Sequence, residues 1–133
     1  MTPTPTVQLR HELPDGTWHI DWMLDRDQHS DLITFRLPDR LDHLLNGAFI
    51  DADSLGGHRR EYLDYEGPVS GNRGSVTQVA VGEILDWASD GDDWWITVHW
   101  EAGPRQVIRI VPEEVKSEST PTCRIYCEES SLS

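Results

Sequence analysis

A period of two is the strongest constraint on this chain. From Trp18 to Leu24 apolar and polar residues alternate, with Trp18, Ile20, Trp22 and Leu24 on one side of an extended segment and His19, Asp21 and Met23 on the other. Trp94, Ile96, Val98 and Trp100 repeat the pattern. No stretch sustains helical periodicity over several turns; only Arg40 to Leu45 suggests a short helical turn. Further strands are expected at Val7–His11, Thr17–Leu24, Leu32–Leu37, Gly74–Val81, Glu83–Trp87, Trp94–Trp100, Gln106–Val111 and Thr122–Cys127. Between them lie Pro14-Asp15-Gly16, Ser89-Asp90-Gly91-Asp92 and Ala102-Gly103-Pro104, all favourable turn chemistry. The expected fold is all-β: a single compact antiparallel β-barrel of about six to eight strands with little helix.

A length of 133 residues suits one domain with one core. The polar, charged segment 112–121 reads as a flexible connector and 128–133 as a disordered tail. Cys123 and Cys127 have no partner pair that would complete a zinc site, so they read as two reduced thiols of a cytoplasmic protein. No stretch is long and apolar enough for a membrane span, and the polar start does not read as a signal peptide.

The formal charge is −13, spread along the chain. Such a surface disfavours non-specific binding to nucleic acid or anionic membranes, so any phosphate chemistry needs local cations or a metal. Ten of the eleven basic residues are Arg, which suits bidentate pairing with carboxylate or phosphate.

Two constellations carry chemistry. His19 and Asp21 share the polar face of their strand, an imidazole–carboxylate pair that becomes a metal site once His11 or His58 joins it. The second is the segment from His58 to Val76, in which His58, Tyr62, several carboxylates and Arg59, Arg60 and Arg73 precede a turn rich in glycine (Gly67, Gly71, Gly74). Glu66-Gly67 reads as structural, a carboxylate anchoring a turn with an unusual glycine conformation.

Read in order, His11, His19-x-Asp21, Leu32-Ile33-Thr34-Phe35-Arg36-Leu37-Pro38, His58-x-x-x-Tyr62-x-x-Tyr65-Glu66-Gly67 and Gly74-Ser75-Val76 resemble the 3′-phosphoesterase domain of bacterial DNA ligase D, and more closely its short stand-alone relatives. The similarity spans about residues 7–111. It implies a barrel enzyme that removes a 3′-terminal ribonucleoside or phosphate from DNA ends with a divalent metal, typically manganese. Carried over by position, His11, His19 and Asp21 would hold the ion, and His58 and Tyr62 would contact the scissile phosphate, with His58 moving a proton. The implied partners are DNA 3′ ends or a phosphorylated nucleotide, together with a DNA-repair protein.

The chain departs from the family at Met23, where the family carries a phosphate-gripping Arg, and after Pro38, where Asp39-Arg40 replaces Lys-Gly. Arg36 or Arg40 would then be the phosphate-binding cation. Two other readings fit the same residues. A catalytically degenerate relative would serve as a binding module, as Met23 and the acidic surface suggest. His-x-Asp closed by a distant His such as His99 is the facial triad of non-haem iron oxygenases. Without that role, His29, His43 and His99 read as ordinary surface residues.

Overall fold

The alternating segments fold as strands because each can bury one face against the others. The computed structural model describes residues 2–114 and 120–128; residues 115–119 of the expected connector and 129–133 of the expected tail lie outside the described residues. The strands are β1 (Thr4–Glu12), β2 (Trp18–Leu24), β3 (Ile33–Leu37), β4 (Phe49–Ser54), β5 (Gly67–Pro68), β6 (Ser75–Asp90), β7 (Asp93–Trp100), β8 (Arg105–Pro112) and β9 (Thr122–Glu128). Every pairing is antiparallel, in the order β1-β2-β3-β4-β9-β8-β7-β6-β5, and β1 also pairs with β6. That last pairing closes the sheet into a barrel-like ring, with the two-residue β5 outside it on the edge of β6. No described helix is long and apolar enough to cross a membrane.

The strand count of nine exceeds the expected range because β4 and β5 carry little β signal. β4 reads Phe-Ile-Asp-Ala-Asp-Ser, and its two aspartates and serine are poor strand formers. Pairing with β3 and β9 overrides that propensity. Conversely, the two strands expected on either side of Gly82 are one strand of sixteen residues. Gly82 belongs there because a Cβ would lie 2.7 Å from the His99 carbonyl and 2.9 Å from the Trp100 ring, so only glycine fits the close approach of β7. Register shifts opposite Gln8/Leu9 and at Ile84/Asp86 bend this long strand from one neighbour to the other.

The ring is filled by Ile20, Trp22, Leu24, Phe35, Leu37, Ile84, Ile96, Val98, Trp100, Ile108, Ile125 and their neighbours. Cys123 and Cys127 belong to this core as free thiols, and burial pushes the Cys123 thiol up to about 12. Two glutamines inside the ring have clear tasks. Gln8 Oε1 accepts from the Leu41 amide at 2.7 Å, and Gln106 Nε2 donates to the carbonyls of Leu41 and Leu44 at 3.0 and 3.1 Å. These bonds fasten the 3-10 turn Leu41–His43, and with it the buried Leu41, to the barrel. Trp100 Nε1 in turn donates to Gln106 Oε1 at 2.7 Å.

A second apolar cluster lies on the outer face of β1, β2 and β6. Val7, Leu9, Met23, Leu32 and Val76 form it, and Tyr62, Leu63, Tyr65 and Val69 pack over it. The polar face expected for β2 is therefore covered along much of its length. Met23 is 1% exposed and serves this cluster, while Trp18, expected on the apolar face, is 41% exposed with the Arg10 guanidinium 4.5 Å above its ring. Gln106→Leu should test the interior bonding: it strands the Trp100 N–H and two carbonyls and should cost about 2 to 3 kcal/mol. In urea unfolding the midpoint should fall with the slope unchanged.

Candidate metal centre

The register of β1 on β2 builds the centre. His11 sits opposite His19 and Leu9 opposite Asp21, so the two imidazoles and the carboxylate emerge on one outer face. One ligand atom from each of the three lies within 4.8 Å of the others. His11 Nδ1 is 3.5 Å from Asp21 Oδ2, and His19 Nε2 is 3.2 Å from Asp21 Oδ1. All three side chains are largely removed from solvent, at 12%, 12% and 5% exposure.

His19 Nε2 and Asp21 Oδ1 are both buried without a hydrogen-bond partner among the described residues. Two such orphans facing each other are costly unless something between them satisfies both. A cation with bonds of about 2.1 Å places adjacent ligand atoms about 3 Å apart, close to the separation seen here. Two imidazoles and a carboxylate suit a borderline divalent ion, and three protein ligands leave coordination positions for water or substrate. The donor set therefore fits the expected metal.

Residues 58–69 bring the second constellation to this face. Leu32 and His58 exchange backbone hydrogen bonds of 2.7 and 3.0 Å, and Arg60 reaches back to β2's end in a two-pronged pair with Asp25 at 2.7 and 2.5 Å. Arg60 also donates to the Ser30 carbonyl at 2.9 Å. Across the segment, Glu66 accepts from the Gln78 amide at 2.9 Å and Gly67 takes a φ of +132°, as expected for that turn. The His58 ring meets Tyr62 edge-on at 6.0 Å, and Tyr62 meets Tyr65 in the same way at 5.7 Å. His58 Nδ1 lies 3.0 Å from the Gly56 carbonyl. A carbonyl only accepts, so Nδ1 carries the hydrogen and Nε2 is left to exchange protons.

A cleft of about 300 Å³ results, lined by His11, Asp21, Arg36, His58, Tyr62 and Arg73 among others. A second, more open cleft of about 540 Å³ lies beyond the triad, lined by His19, Arg36, Asp51, Asp53, Glu113 and Arg124 among others. Arg36 borders both, and its Nε is 3.8 Å from Asp21 Oδ1. The structure thus gathers His11, His19, Asp21, His58, Tyr62 and Arg36. Arg40 is not among them. It forms a bidentate pair with Asp42 at 3.0 and 2.6 Å beside the Leu41–His43 turn, and it lines neither cleft. His99 lines a different cleft, with Glu83 and Glu101. Met23 does line the smaller cleft, as part of its apolar wall.

Arg73, Asp25 and the Asp51/Asp53/Arg124 group went unassigned by sequence reasoning. Arg73 stood in a segment already notable for its arginines, but Asp25 and Arg60 are far apart in sequence and nothing local links them. No protein-family model matches the sequence, and no curated protein matches it.

The Arg60 hydrogen bonds hold the Asp25 carboxyl below the usual carboxylate range, helped by the Gln28 amide and opposed by burial. A carboxylate with a depressed pKa stabilises the fold above its unfolded value, near 3.8, and loses that contribution as pH falls toward the folded value. Asp25 is 1% exposed and Arg60 about one-third exposed, so solvent screens the pair only on one side. Asp25→Asn should cost about 2 kcal/mol at neutral pH by urea unfolding, and the gap from wild type should shrink as pH drops below 4.

Proposed function

We propose that this chain is a metal-dependent phosphoesterase acting on a terminal phosphoester, with the 3′-phosphate or 3′-ribonucleoside of a DNA end as substrate and manganese as the ion. One observation carries the reading: two members of the three-ligand group, His11 and Asp21, line the same cleft as His58, Tyr62, Arg36 and Arg73, which come from three other parts of the chain. The ion, held by His11, His19 and Asp21, would polarise a phosphoryl oxygen and lower the pKa of bound water. Arg36, 43% exposed at its side chain, and Arg73 bind the remaining phosphate oxygens. His58 Nε2 first takes up a proton from solvent and then delivers it to the leaving oxygen, and the Tyr62 ring holds His58 in place. Arg36 and Arg73 supply the cations that the family resemblance asks for and Met23 cannot.

Two imidazoles and a carboxylate are also the donor set of non-haem iron oxygenases. The phosphoester reading stands ahead of it because two guanidiniums and a proton-transfer histidine share the cleft, and these suit a phosphate better than an oxidisable substrate. Manganese with a 3′-phosphate-terminated DNA strand should release phosphate, and His19→Ala should lower the rate at least about 100-fold. Equal release by wild type and His19→Ala, or none with any divalent ion, sinks the enzymatic reading. Metal binding without turnover is the outcome that a degenerate binding module gives.

The cleft beyond the triad restricts how much of a polyanion can be held. Asp51, Asp53 and Glu113 outnumber Arg36 and Arg124 there, and Arg124 already pairs with Asp51 at 3.0 Å. Contact is therefore confined to the terminal nucleotide. With about one phosphate neutralised, kcat/KM on an oligonucleotide should fall less than about threefold between about 50 and 200 mM salt. A fall of a hundredfold would mean an extended backbone track instead.

A further inference from the structure

His11 Nε2, the ring nitrogen turned away from Asp21, lies 2.6 Å from the backbone carbonyl of Arg73. A carbonyl cannot donate, so this bond requires a hydrogen on Nε2 and leaves Nδ1 as the nitrogen directed at Asp21. The carbonyl is held by a turn that bonds to itself. The Val69 amide donates to the Gly74 carbonyl at 2.8 Å, and Arg73 Nε donates to the Ser70 carbonyl at 2.7 Å. The turn meets the end of β1 at Gly74, whose φ is +87° and where a Cβ would fall 1.9 Å from the Glu12 carbonyl oxygen. Any other residue at 74 must displace the turn or the end of β1, and either shift disturbs the His11–Arg73 bond.

We propose that the Val69–Gly74 turn is part of the metal centre: through the Arg73 carbonyl it holds His11 as the Nε2–H form, so that Nδ1 is the ligand atom. This rests on the reading of His11, His19 and Asp21 as a metal site. The turn acts through His11, so Arg73 and Gly74 are positioning residues, Arg73 by its main chain. Outer carbonyl partners of this kind orient a ligating imidazole and raise its basicity, and losing one costs about 10- to 100-fold in metal affinity. With its hydrogen on Nε2, His11 has none at Nδ1 to offer Asp21, so a nitrogen lone pair and a carboxylate oxygen face each other at 3.5 Å, an arrangement that a cation would satisfy.

The test is a long-range proton–nitrogen NMR spectrum of the histidine rings, recorded on the whole protein with and without Zn²⁺ as a diamagnetic probe, alongside Zn²⁺ titration calorimetry. His11 Nε2 should be protonated in both states and Nδ1 alone should shift with the ion. Arg40→Ala, which touches neither the turn nor the cleft, should match wild type in spectrum and affinity, while Gly74→Ala should bind Zn²⁺ about 10- to 100-fold more weakly. Should Gly74→Ala fail to fold, the wild-type spectrum decides. A shift at Nε2, a bare Nε2, or a folded Gly74→Ala with undiminished affinity overturns the proposal while leaving metal binding intact. No shift at His11 or His19 with Zn²⁺ overturns the metal reading itself, and the proposal with it.

Discussion

The antiparallel register of β1 on β2 decides where the three candidate ligands point. With His11 opposite His19 and Leu9 opposite Asp21, the two imidazoles and the carboxylate share the outer face, while Ile20, Trp22 and Leu24 fill the ring. A slip of one residue would turn the triad inward and the core outward, an exchange that the buried Trp22 and Leu24 forbid. The hydrophobic core therefore fixes the ligand geometry. β6 strengthens this by pairing with β1 on its other edge, setting Val76 opposite His11 and bringing the Arg73–Gly74 turn alongside.

The outer face is the less usual part of the design. A site on the outside of a barrel would ordinarily be wet, yet here it lies beside a second apolar cluster built from Val7, Leu9, Met23, Leu32 and Val76 and covered by residues of the 58–69 segment. That cover is secured by charge as well as by packing, since Arg60 clamps the segment onto the buried Asp25. The result is a carboxylate, Asp21, largely withdrawn from water with His11, His19 and Arg36 around it. Low solvent access strengthens each of these electrostatic contacts and makes it costly that His19 Nε2 and Asp21 Oδ1 have no hydrogen-bond partner among the described residues.

Much of this was legible in the sequence, and the limits have physical causes. The Trp18–Leu24 and Trp94–Trp100 alternations gave β2 and β7 because Ile20, Trp22 and Leu24 in one and Ile96, Val98 and Trp100 in the other are buried in the core. β4 escaped notice because Asp51 and Asp53 suppress its β signal and its stability comes from neighbours distant in sequence. His19 and Asp21 could be paired from strand periodicity, and His11, His58 and Tyr62 were joined to them by the family resemblance. Arg40 could not be separated from Arg36 by sequence, although Asp42, the residue that occupies it, stands two positions away. Met23 looked like a defect in a polar face because the segment that covers it lies some forty residues downstream. Such long-range contacts are invisible to a periodicity argument.

Metal occupancy of the His11, His19 and Asp21 centre is the claim on which the functional account turns. Titration of the protein with Mn²⁺, followed by the loss of the free-ion electron paramagnetic resonance signal, measures it without assuming a substrate. The account predicts one tightly held ion per chain in the wild type and loss of that site in His19→Ala, with the Arg40→Ala variant unchanged. Equal binding by wild type and His19→Ala, or no binding by either, would contradict it.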